Sequence, residues 1–359
     1  MYLRLTAIFV LIFTLLCGCT QSSDSGNRTE SRTAKIDVAS MFPVDLPVIG
    51  PAITRVVETT GRASGGSLKL TVYDNNKLVA SKEILSAVSA GKVDAGYAAC
   101  GFWQGKIQSA PIFSSVPFGP ETGEYLAWMF VGNGLTLYQQ MYDQNGFNVK
   151  VLIAAVLPPE TSGWFAKPID SPDDLKGLRM RFYGFGGDVM SKLGVGVELL
   201  DGSDIFPALE KGRLDAAEFS MPVIDMRLGF HKIVKYNYFP GWHQQATLLE
   251  LLINKDVWNN LDESQQTIIE LACQDAVVRS IAEGEGTQFD TMREQTEKHG
   301  VIRKRWSPEM LQLFRETWDQ FAAEQAKNDP FFAEVWADLT KFRAGYDLWE
   351  DYAFLPRGN

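Results

Sequence analysis

The sequence has few of the residues that enzymes most often use for chemistry. It contains 3 histidines and 4 cysteines in 359 residues, with no His-x-x-x-His pair, no Gly-x-Ser-x-Gly and no Cys-His-Asn set. Metalloprotease and hydrolase signatures are therefore absent. Cys17 and Cys19 lie in the N-terminal leader, which leaves Cys100 and Cys273. Two cysteines make neither a disulfide framework nor a four-ligand zinc site, and either one bridge or two buried free thiols fits the sequence.

Basic runs and nucleotide-binding loops are also missing. The chain has 34 lysines and arginines against 44 acidic residues, a net charge of −10, and no run of cations. An acidic chain of this kind is not expected to bind nucleic acid. The glycine-rich stretch Gly184–Asp188 has neither the Gly-x-Gly-x-x-Gly spacing nor the Lys-Ser/Thr of a P-loop. We interpret it as a strand-to-helix turn, with a helix N-terminus aimed at an anion as the alternative.

One long apolar run is present, and it lies at the N-terminus. Arg4 precedes the run Leu5–Leu16, and Leu16-Cys17-Gly18-Cys19 follows it. Because the run is short for a membrane span, residues 1–18 are predicted to be a secretory signal peptide. A cysteine after Leu-x-Gly resembles a bacterial lipobox, so Cys19 is predicted to be the lipidated first residue of a membrane-anchored periplasmic protein. An ordinary signal peptide and an uncleaved anchor are the alternatives.

The polar residues 19–34 predict a flexible tether, and after them short apolar strands alternate with helical patterns. The periodicity predicts strands over residues 35–40, 68–73, 93–98, 149–156 and 247–253, and helices over residues 51–60 and 81–90. Further helices are predicted from Asp262, from Ser307-Pro308 and from Pro330. This alternation is typical of an α/β protein with helices on the faces of a mixed or parallel sheet.

A partial internal repeat indicates two similarly built lobes. Residues 84–95 and 205–216 share the pattern Ile-x-x-Ala-Val/Leu-x-x-Gly-Lys/Arg-Val/Leu-Asp-Ala. Each copy predicts a helix, a glycine in the left-handed conformation and a strand. Tyr97 and Glu218 follow the two copies at equivalent positions, so they are candidates to face one another across a cleft.

From this pattern we predict the domain organisation. Lobe I is expected to comprise residues 35–156 and 250–300, lobe II residues 157–249, and a set of C-terminal helices residues 301–359.

Arg181 is the strongest candidate for binding an anionic ligand. In the predicted strand Leu178–Phe182 the alternation places Arg179 and Arg181 on one face, and Arg181 lies nearer the carboxyl end. Ligands of α/β sheets bind at that end of the strands, and a guanidinium can hold a carboxylate through two parallel hydrogen bonds. Arg179 is then expected to be a surface charge or an ion-pair partner.

Glu160 and Glu218 form a candidate cation site. Glu160 lies in the loop Pro158–Gly163, and Glu218 ends a short predicted strand. Carboxylates with a backbone carbonyl suit sodium or calcium. The charges of these two carboxylates and of a ligand carboxylate add up to −3. Arg181 brings the net charge of the site to −2, which a divalent ion balances. Calcium is therefore expected, with sodium as the alternative. Of the three histidines, His243 is the one expected to contact the ligand.

Three stretches of the sequence together resemble the substrate-binding subunits of tripartite ATP-independent periplasmic (TRAP) transporters. These stretches are Leu175–Arg181, Asp204–Glu218 and Leu252–Trp258. Leu228–Phe230 and Tyr238–Trp242 further resemble the branch that binds 2-oxo and 2-hydroxy monocarboxylates with a metal ion.

The resemblance implies a two-lobed periplasmic binding protein fold with a ligand cleft between the lobes and C-terminal helices that brace both. It implies that Arg181 holds the ligand carboxylate. It also implies that the metal ligands are Glu160, Glu218 and the carbonyl of Phe219.

The sequence departs from that branch at two places. Glu160 replaces a glutamine, which favours a divalent ion over sodium. Ala98–Trp103 replaces a tyrosine-rich segment, so Phe102 and Trp103, with Trp242 and His243, are predicted to line a site for a ligand larger or more apolar than pyruvate or lactate.

The expected function is an extracytoplasmic solute-binding protein, not an enzyme, that delivers a small organic acid to a membrane permease. Its expected state is a monomer or a homodimer. A binding protein of an ATP-driven transporter and a sensor lobe are alternatives. A hydrolase using Glu160 and Glu218 as a carboxylate pair is a third.

Overall fold

The computed structural model describes residues 33–355. The predicted signal peptide, the predicted lipidation site Cys19 and nearly all of the predicted tether lie outside this range. Within it, no helix has the length and apolar character needed to cross a membrane. Cys100 and Cys273 are both buried free thiols.

Strands and helices alternate along most of the described chain. The strands are β1 (Ala34–Ser40), β2 (Leu68–Tyr73), β3 (Ala95–Ala98), β4 (Val149–Leu157), β5 (Gly163–Phe165), β6 (Arg179–Arg181), β7 (Gly196–Glu198), β8 (Ala216–Ala217), β9 (Tyr236–Phe239), β10 (Thr247–Asn254) and β11 (Ile302–Arg305). The helices are α1 (Ile49–Ala63), α2 (Ile84–Ser89), α3 (Thr122–Phe130), α4 (Gly134–Gln144), α5 (Gly184–Lys192), α6 (Gly202–Glu210), α7 (Pro222–Leu228), α8 (Lys255–Asn259), α9 (Glu263–His299), α10 (Pro308–Asn328) and α11 (Pro330–Ala353).

The strands form two sheets with matching order. The first sheet runs β2-β1-β3-β10-β4 and the second β11-β9-β5-β8-β6-β7. In the first, β3 lies between parallel β1 and antiparallel β10. In the second, β8 lies between parallel β6 and antiparallel β5. Two sheets with helices packed around them confirm the predicted two-lobed α/β fold.

The two copies of the sequence repeat occupy equivalent places in these sheets. Helix α2 leads through Gly91 into β3, and α6 leads through Gly212 into β8. Gly91 has φ 67° and Gly212 has φ 65°, the left-handed conformation that glycine adopts without a steric penalty. The repeat therefore codes for the same helix-turn-strand unit twice.

Two long strands carry the core where the chain passes between the sheets. Strand β10 is buried along its whole length, and β4 is buried at all but one residue. They pair antiparallel in the first sheet. Such continuous burial explains their uninterrupted apolar sequences. Strand β10 begins at Thr247, three residues before the predicted start of the second segment of lobe I at residue 250.

Helix α9 is a long element that packs against parts of both halves. It contacts α1 and β4 of the first half and α7 of the second. Its 37 residues correspond to a rod of roughly 55 Å. Asp262 and Gln265 form a reciprocal capping box at its start. Gly284 lies against Pro158, since a Cβ at Gly284 would lie 2.5 Å from the Pro158 Cδ.

Several boundaries differ from the sequence predictions. The predicted helix over 81–90 is a 3-10 turn, Ser81–Glu83, followed by the shorter α2. Strand β1 begins at Ala34, the last residue of the predicted tether. Residues 302–305 of the predicted C-terminal helices form β11, which pairs with β9 in the second sheet. Ser307 caps α10 with Pro308 in its first turn, as predicted.

Candidate functional site

Glu160, Glu218 and His243 come together in a buried cluster where the chain passes between the sheets. Glu160 lies in the connection from β4 to β5, Glu218 follows β8, and His243 lies between β9 and β10. One ligand atom from each lies within 4.8 Å of the others, and all three side chains are buried. Residues distant in sequence thus form one group of potential metal ligands.

Arg181 lies at the end of β6 and contacts this cluster directly. Its Nη1 donates to Glu218 Oε2 at 2.9 Å and to the Glu218 carbonyl, and its Nε donates to the Leu200 carbonyl at 3.2 Å. Its Nη2 has no hydrogen-bond partner among residues 33–355. That nitrogen remains available to a ligand carboxylate. Arg179 is exposed and pairs with Asp215 at 2.6 Å, as a surface arginine would.

Buried acceptor atoms of the cluster lack partners. Glu160 Oε1 accepts from Thr247 Oγ1 at 2.8 Å and from Gln244 Nε2 at 3.3 Å. Within the described part of the chain, Glu160 Oε2, Glu218 Oε1 and both ring nitrogens of His243 have no hydrogen-bond partner. Unpaired buried polar atoms are costly, and a bound cation would satisfy several of these at once. The donor set therefore fits a metal ion.

Electrostatic repulsion within the cluster supports the same interpretation. Burial, together with the neighbouring Glu218 carboxylate, raises the pKa of Glu160 well above its usual range. Arg181 pairs with Glu218 and leaves Glu160 as the acid of the pair without a directly paired cation. Burial also raises the pKa of the nearby Asp225, to about 7. A cation bound beside Glu160 would favour its ionised form.

Phe219 follows a carboxylate of this cluster directly in the chain. Phe219 directly follows Glu218, and its ring centroid lies 5.0 Å from the Arg181 guanidinium carbon. Among the described residues its carbonyl accepts no hydrogen bond. It can therefore serve as the backbone oxygen that the sequence analysis expected at a cation site.

The rings of the remaining predicted site residues pack against other groups of the protein. Trp242 precedes His243, but its ring stacks in the core against Phe314 at 4.7 Å. Trp103 is buried elsewhere and donates from Nε1 to Glu250 Oε1 at 2.8 Å. Phe102 is half-buried, with its ring 4.8 Å from that of Tyr183.

Tyr97 does not pair with Glu218 across a cleft. Its hydroxyl donates to the Ile49 carbonyl at 3.0 Å, inside the first half of the molecule.

Sequence reasoning missed the residues that hold the cluster in place. Gln244 follows His243 directly, and Thr247 is the first residue of β10. Their polar character next to an apolar strand is the one signal that the sequence offers. The ligand contact predicted for His243 stays a prediction, and its Nε2 lies 3.5 Å from Glu218 Oε1. It is therefore also a candidate metal ligand.

Tyr183 connects the cluster to the segment that follows β3. Its backbone N–H donates to Glu218 Oε2 at 3.2 Å, and its hydroxyl lies 2.8 Å from Ser114 Oγ. A Cβ at Gly101 would lie 2.2 Å from that hydroxyl oxygen. The tyrosine thus fits against bare backbone of the first half while it contacts a carboxylate of the second.

Comparison with known proteins identifies related chains over nearly the full length. Residues 44–329 match the family model described as bacterial extracellular solute-binding protein, family 7. The monocarboxylate 2-oxoacid-binding periplasmic protein of Nostoc sp. (strain PCC 7120) is 31% identical over 348 residues, which cover 96% of this chain and 93% of that protein.

Solved structures of TRAP transporter solute-binding proteins have the same fold. One from Bordetella bronchiseptica, a dimer with copurified calcium and picolinate in one active site, is 27% identical with a TM-score of 0.87, and covers 90% of this chain and 95% of its own. One from Pseudoalteromonas atlantica, with bound sodium and pyruvate, is 27% identical with a TM-score of 0.86, and covers 90% and 97%.

Proposed function

This chain belongs to the bacterial extracellular solute-binding proteins of family 7, the receptors of TRAP transporters, and from that membership we propose that it captures a 2-oxo or 2-hydroxy monocarboxylate together with a cation. The observation that carries the proposal is the buried group of Glu160, Glu218 and His243 beside Arg181. The loaded receptor would then dock on the membrane permease of the transporter.

The cation is proposed to be calcium, with sodium as the competing choice. Glu160, Glu218 and the Phe219 carbonyl would hold it, with His243 as a further ligand, and the ion would bind the ligand's carboxylate and adjacent oxygen. Two protein carboxylates and one ligand carboxylate beside a single arginine favour a divalent ion. Relatives with calcium and with sodium are both known.

Ligand binding is proposed to favour the closed arrangement of the two lobes. We assign lobe I to the first sheet and lobe II to the second, with β11, from the predicted C-terminal helices, in lobe II. Ligand contacts that exist only when the lobes are together shift the open–closed equilibrium by their free energy. Tyr183 supports this view because it contacts both Glu218 and Ser114.

A melting experiment tests the proposed function. The protein is treated with a chelator, and its melting temperature is then measured with pyruvate or lactate in the presence of calcium, sodium or neither. Acid and calcium together should raise it by about 5 °C or more at saturation, and each alone by less. If no organic acid changes the melting temperature under any metal condition, the proposed function is wrong.

We further propose that Cys19 is lipidated and holds the protein at the membrane. The support is the sequence Leu16-Cys17-Gly18-Cys19 after an apolar run. The full-length chain expressed in bacteria should sediment with membranes and carry the mass of a lipid. Cys19→Ser should release it, whereas Cys17→Ser, the matched control two residues away, should not. Equal behaviour of both variants contradicts this assignment.

A further inference from the structure

A small pocket lies between the two halves of the molecule, next to the proposed ligand site. Its volume is about 140 Å³. It is bounded by the segment after β1, by the start of α6 and by the end of α7. Its apolar lining consists of Met41, Phe42, Pro43, Leu46, Phe219 and Leu228.

The pocket adjoins the group expected to hold the ligand carboxylate. Phe219 lines it, and the Arg181 guanidinium carbon lies 5.0 Å from the same ring. Arg181 also donates to the Leu200 carbonyl, and the next two residues, Asp201 and Gly202, line the pocket. A carboxylate on Arg181 would therefore place the rest of a short acid near this space.

We propose that this pocket holds the side chain of the bound 2-oxo acid and selects acids with a branched aliphatic or aromatic side chain over pyruvate. The inference rests on the proposed function and adds the substrate class to it. Apolar cavities of ~150 Å³ accommodate a benzene molecule, so a pocket of about 140 Å³ has room for a branched aliphatic or aromatic side chain. The methyl group of pyruvate would leave most of this volume empty.

The charges around the pocket disfavour a second carboxylate on the ligand. Arg227 is the cation of its lining, and it is already paired with Asp45. Asp201 also lines the pocket and forms no ion pair within residues 33–355. A dicarboxylate such as 2-oxoglutarate would bring its distal charge towards Asp201, and Lys82, whose positive charge also acts on Asp201, does not line the pocket. The pocket therefore selects monocarboxylates.

Calorimetric titrations with saturating calcium test this selection. We expect 4-methyl-2-oxopentanoate and phenylpyruvate to bind at least tenfold more tightly than pyruvate, because their side chains bury more apolar surface. The dicarboxylate 2-oxoglutarate should bind at least tenfold more weakly than pyruvate. If pyruvate binds as tightly as the larger acids, the inference is overturned while the proposed function stands. If none of these acids binds with any metal, both fail.

Filling the pocket provides the second test. Leu228→Trp should lower the affinity for 4-methyl-2-oxopentanoate at least tenfold more than the affinity for pyruvate, because only the larger side chain needs the filled space. Leu228→Phe, a smaller change at the half-buried end of α7, should act in the same direction and serves if the tryptophan variant does not fold. The control is Leu271→Trp on the exposed side of α9, where Leu271 is 57% exposed. An equal loss of affinity for both acids in the Leu228 variants would overturn the inference.

Discussion

Arg181 and the cation are proposed to share one carboxylate, that of Glu218. Without a cation, Glu218 Oε2 accepts from Arg181 and from the Tyr183 backbone, while Oε1 is unpaired. One oxygen of the group thus orients the arginine, and in the proposed site the other would bind the metal. The carboxylate of Glu218 would then connect the group that holds the ligand with the ion that holds it.

Removal of the arginine should weaken ligand binding strongly. Arg181→Ala is expected to weaken the affinity for pyruvate with calcium by roughly 2–5 kcal/mol, because a buried, hydrogen-bonded charge loses its partner. Titration calorimetry measures the effect, with Arg179→Ala on the same strand as the matched control. Arg181→Lys keeps the positive charge but cannot donate two parallel hydrogen bonds, and this variant replaces the alanine variant in the test if the latter is unstable. Full binding by either Arg181 variant would remove this residue from the site.

Glu160 should set the choice of cation. In Glu160→Gln one negative charge is lost, so the affinity for calcium in the presence of pyruvate should fall at least about tenfold, and sodium should support binding instead. The metal-free variant should also melt at a higher temperature, because the buried repulsion with Glu218 is gone. Calcium and sodium titrations followed by calorimetry test this. An unchanged preference for calcium would contradict the charge argument.

At the scale of elements, β10 connects the site to the core. Thr247 at its start binds Glu160, and Glu250 further along is fully buried. Glu250 accepts hydrogen bonds from Trp103, Tyr138 and Tyr142. Strand β10 therefore carries both Thr247, the hydrogen-bond donor to Glu160, and the buried acid Glu250. Both make hydrogen bonds to residues that are distant in the sequence.

Glu250 should make stability depend on pH. Burial raises its pKa from 4.5 to about 7, so the folded protein keeps a proton that the unfolded chain loses over that range. The free energy of unfolding should therefore fall as the pH rises from about 4.5 to 7, by up to roughly 1.4 kcal/mol per pH unit from this group. Urea denaturation at several pH values should show a shallower fall for Glu250→Gln than for the unchanged protein. Glu58→Gln, at an exposed position of α1, is the control, and equal slopes in all three proteins would contradict the prediction.

The sequence predicted the elements whose signals are local. The bounds of β2, the caps of α9 and α10, and the long apolar strands β4 and β10 follow from periodicity and capping residues. The partner of Trp103 was not predictable in this way, since Glu250 lies 147 positions away. Arg181 could be singled out because strand alternation and charge act locally. Tyr183, Gln244 and Thr247 could not, because their roles arise only when the two sheets come together.

At the scale of the whole molecule, the closeness of the two halves depends on a missing side chain. Tyr183 occupies the space that a Cβ at Gly101 would need. Gly101→Ala should therefore hinder closure and weaken pyruvate binding about tenfold or more, with little effect on the stability of the ligand-free protein. Gly105→Ala is the matched control, since a Cβ there meets nothing within 4 Å. Calorimetry and urea denaturation of both variants separate the two effects, and unaltered binding by Gly101→Ala would contradict this role.

The contact of Gly284 with Pro158 has a mechanical consequence. It fixes the point where the long rod of α9 touches the connection between the sheets, and Glu160 follows Pro158 by only two residues. If the contact lies near a hinge between the halves, the cation site is close to the hinge and the outer rims of the two halves are far from it. Sub-ångström tightening around an ion would then be magnified into a displacement of the rims large enough for a membrane partner to distinguish loaded from empty receptor.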